Sequence, residues 1–216
     1  MSSVHFAADR PERPHDNPNR RDFLYIATAC FGVVGTGAAL WPFIDQMRPD
    51  ASALAAGGPV DVDVSKIGPG QQVTVRWRGT PVFIIDRPDA ALKTLQDPIL
   101  VAMLSDPDST VEQQPPYARN WSRSVNPRYA VLVGVCTHLG CIPLFQPQAD
   151  PSREWFGGYF CPCHGSKYDL AGRVYNHVPA PYNLPVPPYH FTSPTNLRIG
   201  ENPPGESFDF SSIVQV

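Results

Sequence analysis

The chain begins as a polar segment, becomes continuously apolar, and then alternates in short runs. Residues 1–19 are polar, contain several prolines and lack apolar periodicity, which predicts a poorly ordered tail. The stretch from Phe23 to Ile44 has no charged residue. As a helix rising ~1.5 Å per residue it would span about 33 Å, enough to cross a bilayer core. A single transmembrane anchor within residues 20–48 is therefore predicted.

A cleaved signal peptide is the competing interpretation of this apolar stretch, because Gly37-Ala38-Ala39 has the small residues of a cleavage site. The apolar run continues past that site through Trp41 and Phe43, and it exceeds the usual length of a signal-peptide apolar region. We therefore expect the anchor to remain attached.

Two arginines, Arg20 and Arg21, directly precede the anchor and form a twin-arginine pattern. Such a signal predicts export of an already folded protein. The alternative is that the two arginines act only as a charge anchor. Under either interpretation the positive-inside rule keeps the N-terminus in the cytoplasm, so the C-terminal part lies where disulfides form.

A linker is predicted at residues 49–58, because the stretch after the anchor consists mostly of small, uncharged residues. It is either a hinge or a passive tether. The hinge residues are Ala51, Ser52, Ala53, Leu54, Ala55, Ala56, Gly57 and Gly58.

Short alternating or β-branched runs fill residues 59–216 and predict an all-β domain, a small antiparallel β-sandwich. The 26 prolines and 16 glycines favour ordered turns over helices, although residues 90–96 and 99–104 have helical patterns. The formal charge of -3 argues against nucleic-acid binding. The predicted strands are 60–64, 72–78, 81–86, 129–135, 158–160, 167–170, 173–175, 189–191 and 196–199.

Two short motifs carry the candidate chemistry. Residues 136–141 read Cys-x-His-x-x-Cys and residues 161–166 read Cys-x-Cys-His-x-Ser. Two thiolates with two imidazoles form the ligand set of a [2Fe-2S] cluster that has cysteines on one iron and histidines on the other. The potential ligands are Cys136, His138, Cys141, Cys161, Cys163 and His164.

Other sites use some of the same residue types. Two cysteines and two histidines also make a tetrahedral zinc site, but such a site leaves one cysteine of each motif without a role. A thiol-redox module is disfavoured because the second motif is Cys161-Pro162-Cys163 in Gly/Pro-rich surroundings, not Cys-x-x-Cys beside a βαβ pattern.

Taken together, the two motifs resemble those of the Rieske iron-sulfur proteins, and the chain from the twin-arginine pattern onward resembles the Rieske subunits of bacterial ubiquinol:cytochrome c oxidoreductases. The resemblance implies a Rieske-type β-sandwich with a cluster-binding part at about 129–182. It implies that Cys136 and Cys161 hold the inner iron, and that His138 and His164 hold the outer iron. It also implies a disulfide between Cys141 and Cys163.

The resemblance gives roles to neighbouring residues as well. Ser166 and Tyr168 are expected to donate hydrogen bonds to the sulfurs, which raises the reduction potential. His164 is expected to face the quinol, with His138 also accessible. Apart from the resemblance, the nearby charges of Lys167 and Arg173 are expected to be solvated. The apolar docking rim is expected to contain Leu139, Pro179, Ala180 and Pro181.

The partners implied are a cytochrome b subunit, a membrane-bound c-type cytochrome and ubiquinol, within a dimeric multi-subunit complex. The location implied is the bacterial inner membrane, with a single pass and the cluster domain in the periplasm. The alternative is the Rieske small subunit of a periplasmic oxidase such as arsenite oxidase. The anchor and the additional cysteine pair argue against a ring-hydroxylating oxygenase component.

Overall fold

The computed structural model describes residues 20–48 and 57–214, and the chain divides into two compact units, residues 1–50 and 51–216. The first unit contains helix α1, Arg20–Asp45, whose length and composition suffice to cross a membrane. None of its side chains is buried. The predicted tail and the predicted hinge residues 51–56 lie outside the described residues.

The second unit consists of nine short strands and two short helices within its described part. The helices are α2 (Asp89–Thr94) and α3 (Pro98–Ala102). The strands are β1 (Val60–Asp63), β2 (Gln72–Trp77), β3 (Thr80–Asp86), β4 (Tyr129–Val133), β5 (Leu144–Gln146), β6 (Gly158–Phe160), β7 (Lys167–Asp169), β8 (Tyr189–Ser193) and β9 (Asn196–Ile199).

The strands form three antiparallel sheets, with the orders β1-β9-β8, β2-β3-β4 and β5-β6-β7. Strand β3 is the centre of its sheet, and Val82, Ile84 and Ile85 are fully buried there because both of its faces are covered. Arg78 and Gly79 connect β2 to β3 with φ of 49° and 80°. Two residues with positive φ make the tight hairpin turn that matches strand twist. The prediction of an antiparallel all-β domain is confirmed.

Two predictions about strands were wrong. Strand β5 was missed, because its three residues lie between Pro143 and Pro147, and such flanking prolines are more typical of a loop. Residues 173–175 were predicted as a strand, but Val174 makes only an isolated bridge to Tyr168. The N–H of Arg173 donates to the Asp169 carboxylate at 2.8 Å, so it is not free for a sheet partner.

The sheets position two loops side by side. The loop of residues 136–141 follows β4, and the loop of residues 161–166 joins β6 to β7. We call them the first and second ligand loops. Cys136 and Cys161, at the start of each loop, belong to the same hydrophobic core as the strands that precede them. The core therefore fixes both loops at their first residue.

Candidate metal centre

The two ligand loops have the same backbone hydrogen bonds. In the first loop the N–H of Cys136 donates to the carbonyl of Cys141 at 2.8 Å, and the N–H of Gly140 donates to the carbonyl of Cys136 at 2.9 Å. Gly140 has a φ of 81°, which a residue with a side chain rarely adopts.

The second loop repeats this geometry. The N–H of Cys161 donates to the carbonyl of Ser166 at 2.8 Å, and that of Gly165 donates to the carbonyl of Cys161 at 2.9 Å. Gly165 has a φ of 80°. Cys136 and Cys161 therefore occupy equivalent positions in two matching loops.

The four predicted ligands separate into a buried pair and an accessible pair. Cys136 and Cys161 are 1% and 2% exposed. His138 is half-buried, His164 is exposed, and their ring centroids lie 4.7 Å apart with the planes nearly perpendicular. The sulfurs thus lie on the inner side of the site and the imidazoles on the side that reaches solvent.

A disulfide joins the loops, as predicted. Cys141 of the first loop is bonded to Cys163 of the second, with their Cα atoms 6.7 Å apart. The sulfurs of Cys141, Cys161 and Cys163 lie within 4.8 Å of one another. Among the described residues, they are the group of three potential ligand atoms that lie this close together. Two of those sulfurs are in the disulfide and cannot act as thiolate ligands.

This arrangement fits a two-iron cluster better than a single zinc ion. Zinc ligands lie about 2.0 to 2.3 Å from one ion, so all four would be close neighbours. Here the cysteine pair and the histidine pair do not form such a group. Buried thiolates on one iron and accessible imidazoles on the other are the donor pattern of a Rieske-type [2Fe-2S] cluster.

Burial alone disfavours a free thiolate at this site. It raises the pKa of the Cys161 thiol, while the backbone N–H groups of Cys163 and His164 oppose that shift by hydrogen bonding to the sulfur. Such N–H groups favour the charged form of the sulfur, which is the form that binds metal.

Tyr168 connects the first ligand loop to strand β7. Its hydroxyl is 3.2 Å from Sγ of Cys136 and accepts from the N–H of Thr137 at 3.1 Å. Oγ1 of Thr137 is 3.2 Å from the same hydroxyl and donates to the carbonyl of Tyr182 at 2.7 Å. Burial raises the pKa of Tyr168, so the hydroxyl keeps its proton to donate.

Thr137 was not identified from the sequence. It stands between two predicted ligands, but nothing in the spacing shows that its amide and hydroxyl both contact Tyr168. Only the folded structure brings residues 137 and 168 together.

Ser166 is fully buried at the end of the second ligand loop. Its hydroxyl oxygen accepts from the N–H of Ala180 at 3.0 Å. This contact holds the loop of residues 178–181 against the second ligand loop. Within the described part of the chain, the Ser166 proton has no protein acceptor, so it remains available to a sulfur of the cluster.

The predicted apolar rim is only partly at the surface. Leu139 is 70% exposed, and Pro179 and Pro181 are also exposed. Ala180 is buried, because its N–H bonds to Ser166 and its side chain packs inward, so its placement in the rim was wrong. Two exposed apolar residues next to the first ligand loop, Ile142 and Leu144, were missed.

The prediction that Arg173 is solvated was also wrong. Arg173 is 2% exposed and pairs with the buried Asp169 at 2.7 Å. Lys167 is half-buried. The local sequence gives no sign that Arg173 is buried, because the carboxylate that neutralises it lies within a turn that only the fold defines.

Comparison with known proteins identifies both parts of the chain. Residues 11–50 match the family described as Ubiquitinol-cytochrome C reductase Fe-S subunit TAT signal, and residues 106–189 match the Rieske [2Fe-2S] domain. The ubiquinol-cytochrome c reductase iron-sulfur subunit of Allochromatium vinosum is 47% identical over 191 residues, covering 86% of this chain and 90% of the relative.

The subunit of the same name from Rhodospirillum rubrum is 49% identical over 187 residues, covering 87% of this chain and 94% of the relative. A solved chain described as Hyperthermophilic respiratory Complex III is 30% identical with a TM-score of 0.45, and the match covers 81% of this chain and 99% of that chain.

Both relatives have the same name, and their similarity to this chain extends over nearly their whole length. This disfavours the alternative of a periplasmic oxidase subunit. The twin-arginine region and the apolar helix α1 agree with a membrane-anchored subunit. The chain belongs to the iron-sulfur subunits of ubiquinol-cytochrome c reductase, which carry a Rieske-type [2Fe-2S] cluster.

Proposed function

We propose that this chain accepts one electron from ubiquinol, with coupled release of a proton, and passes it to a membrane-bound c-type cytochrome. Cys136 and Cys161 would hold the inner iron of the cluster, and His138 and His164 would hold the outer iron. The observation that carries this proposal is the pairing of two accessible imidazoles with two buried cysteines on matching loops. The relatives' shared name supplies the substrate class.

The bound cluster supplies one-electron transfer at about -150 to +300 mV, since two neutral imidazoles replace two thiolates. The protein residues set where in this range the potential lies. With the cluster bound, the Tyr168 hydroxyl would donate to Sγ of Cys136, 3.2 Å away, and the Ser166 hydroxyl would donate to a sulfur of the cluster. Both bonds strengthen when negative charge on the sulfurs increases, so they favour the reduced state.

His164 is the residue that binds ubiquinol. Its ring is exposed, so the ring nitrogen that does not bind iron, in its deprotonated form, can accept a hydrogen bond from the quinol hydroxyl. The same nitrogen then takes the proton as the electron leaves the quinol. Leu139, Pro179 and Pro181 are exposed and supply apolar surface that excludes water from the imidazoles when a partner docks.

The apolar helix α1 and the twin-arginine region support a proposed arrangement in the membrane. Helix α1 is an uncleaved anchor in the bacterial inner membrane, with Arg20 and Arg21 on the cytoplasmic side and the cluster domain in the periplasm. The cytochrome b subunit forms the docking site, within a dimeric complex. Residues 49–58 act as the hinge between anchor and cluster domain.

The test is a redox titration of the membrane-bound protein, followed by low-temperature electron paramagnetic resonance at several pH values. We expect a Rieske-type signal whose midpoint potential falls as pH rises, because electron uptake is coupled to protonation of the imidazoles. A low midpoint potential that does not change with pH would contradict the proposal. A colourless protein that contains zinc would also contradict it.

A matched pair of variants tests the assignment of His164 as a ligand of the cluster. His164→Cys changes an outer ligand, whereas His190→Cys changes a half-buried histidine on strand β8. We expect loss of the Rieske signal and of quinol oxidation in the first variant and retention of both in the second. Retention of both in His164→Cys would contradict the ligand assignment.

A further inference from the structure

A buried ion pair holds the turn that follows Tyr168. Nε of Arg173 donates to Oδ2 of Asp169 at 2.7 Å, and both residues are buried. Oδ1 of Asp169 accepts from the backbone N–H groups of Ala171 and Arg173, each at 2.8 Å. One carboxylate therefore makes three charge-assisted hydrogen bonds within the turn of residues 169–173.

Arg173 also ties this turn to a distant part of the domain. A terminal guanidinium nitrogen donates to the carbonyl of Leu95, just after α2, at 2.6 Å. The N–H of Asp169 donates to the carbonyl of Arg173 at 3.0 Å, and Val174 bridges to Tyr168. The guanidinium thus fixes the residues on both sides of the turn, including the one next to Tyr168.

Two further buried arginines converge on the same turn. Arg123 donates to the carbonyls of Ala171 and Gly172 at 3.1 and 3.3 Å, and Arg87 donates to the carbonyl of Leu170 at 3.3 Å. Removing a guanidinium from water costs several kcal/mol. Burial of three at one turn is more than a simple strand connection needs.

The turn is linked to the metal centre through Tyr168 and Cys136. Strand β6 holds Tyr168 on one side, through its pairing with Tyr159, and the turn holds it on the other. The hydroxyl reaches Cys136 at 3.2 Å, so a small displacement of β7 would lengthen that bond. The bond weakens steeply when distance or angle departs from its optimum.

We propose that Arg173, acting through the turn of residues 169–173, is a positioning residue that sets the hydrogen bond from Tyr168 to Cys136 and thereby the reduction potential of the cluster. This inference rests on the proposed roles of Tyr168 and Cys136. It adds a residue that touches neither the ligands nor the accessible surface.

Arg173→Lys separates position from charge. Lysine keeps the positive charge, but its single ammonium cannot replace a planar guanidinium that bonds Asp169 and the Leu95 carbonyl at the same time. We expect a lower midpoint potential than in the wild type, with a fall smaller than that in Tyr168→Phe. In the Tyr168→Phe background, Arg173→Lys should give no further fall.

Arg128→Lys is the matched control. Arg128 donates through two nitrogens to the buried carboxylate of Asp86, each at 2.7 Å, at the end of strand β3. Within the described residues, the side chains of Arg128 and Asp86 make no hydrogen bond with the turn of residues 169–173. Its loss should lower stability in thermal unfolding without changing the midpoint potential.

Three outcomes would overturn the inference. One is an unchanged midpoint potential in Arg173→Lys. Another is that Arg173→Lys lowers the midpoint potential equally in the wild type and in the Tyr168→Phe background. The third is loss of the cluster in both Arg173→Lys and Asp169→Asn while Arg128→Lys keeps it, because these residues would then serve folding alone. An unchanged potential in Tyr168→Phe would instead refute the proposed role of Tyr168.

Discussion

Replacing Tyr168 by phenylalanine removes one hydroxyl from the centre of the site and leaves the ring in place. That hydroxyl accepts from the N–H of Thr137 at 3.1 Å, while the Thr137 hydroxyl donates to the carbonyl of Tyr182. The Tyr168 proton is therefore free to point at Sγ of Cys136, 3.2 Å away. A metal-bound thiolate is the better acceptor for it, because charged acceptors make the stronger hydrogen bonds.

The size of the effect follows from that single bond. A buried hydrogen bond contributes about 1 to 2 kcal/mol. We take the bond from Tyr168 to stabilise the reduced cluster more than the oxidised cluster by this amount. For one electron ~59 mV corresponds to ~1.4 kcal/mol, so the midpoint potential should fall by roughly 40 to 80 mV. Stability should also fall, by about 1 to 3 kcal/mol, because the buried N–H of Thr137 loses its acceptor.

The assay is a redox titration by electron paramagnetic resonance on protein with measured iron content, together with thermal unfolding. Tyr159→Phe is the control, since Tyr159 pairs with Tyr168 across β6 and β7 and is equally buried. Its hydroxyl has no hydrogen-bond partner in the part of the chain that the structure describes. We expect no change in potential there. An equal fall in both variants, or an unchanged potential in Tyr168→Phe, would refute the reasoning.

Three other predictions use the same measurements. Ser166→Ala should lower the midpoint potential while the cluster remains, and an unchanged potential would contradict the role of its hydroxyl. Replacing Cys141 and Cys163 together by alanine should lower the free energy of unfolding by about 3 kcal/mol, because the disulfide closes a loop over a separation of 22 residues and so limits the entropy of the unfolded chain. An unchanged denaturant midpoint would argue against this. Gly158→Ala should prevent pairing of β6 with β7 and abolish cluster binding, because the added Cβ would collide with the carbonyl of Tyr168. Normal iron content in this variant would show that the backbone can shift to accommodate the Cβ.

The candidate ligand set could be proposed from the sequence because its residues lie in two contiguous motifs. Cysteine and histidine have few common roles when they recur at short spacing, so residues 136–141 and 161–166 indicate a metal centre without any knowledge of the fold. The anchor could be predicted from the sequence for a similar reason, since a long uncharged run has few alternatives to a membrane helix. The disulfide between Cys141 and Cys163 followed from the resemblance and is present.

The contacts around the ligands could not be predicted from spacing. Thr137 and Tyr168 are distant in sequence, and their hydrogen bond exists only because β4 and β7 bring them together. Ala180 looked like part of an exposed apolar loop, but its N–H is used by Ser166 and the residue is buried.

The sequence by itself determined the chemistry, the anchor and the antiparallel class of the domain, because each depends on residue types within short windows. Tertiary structure alone decided which charges are buried. Arg173 and Asp169 look like ordinary polar residues of a turn, yet they are desolvated together, since each neutralises the other and satisfies backbone groups. Burial of an ion depends on partners that several distant segments supply, and local sequence does not contain that information.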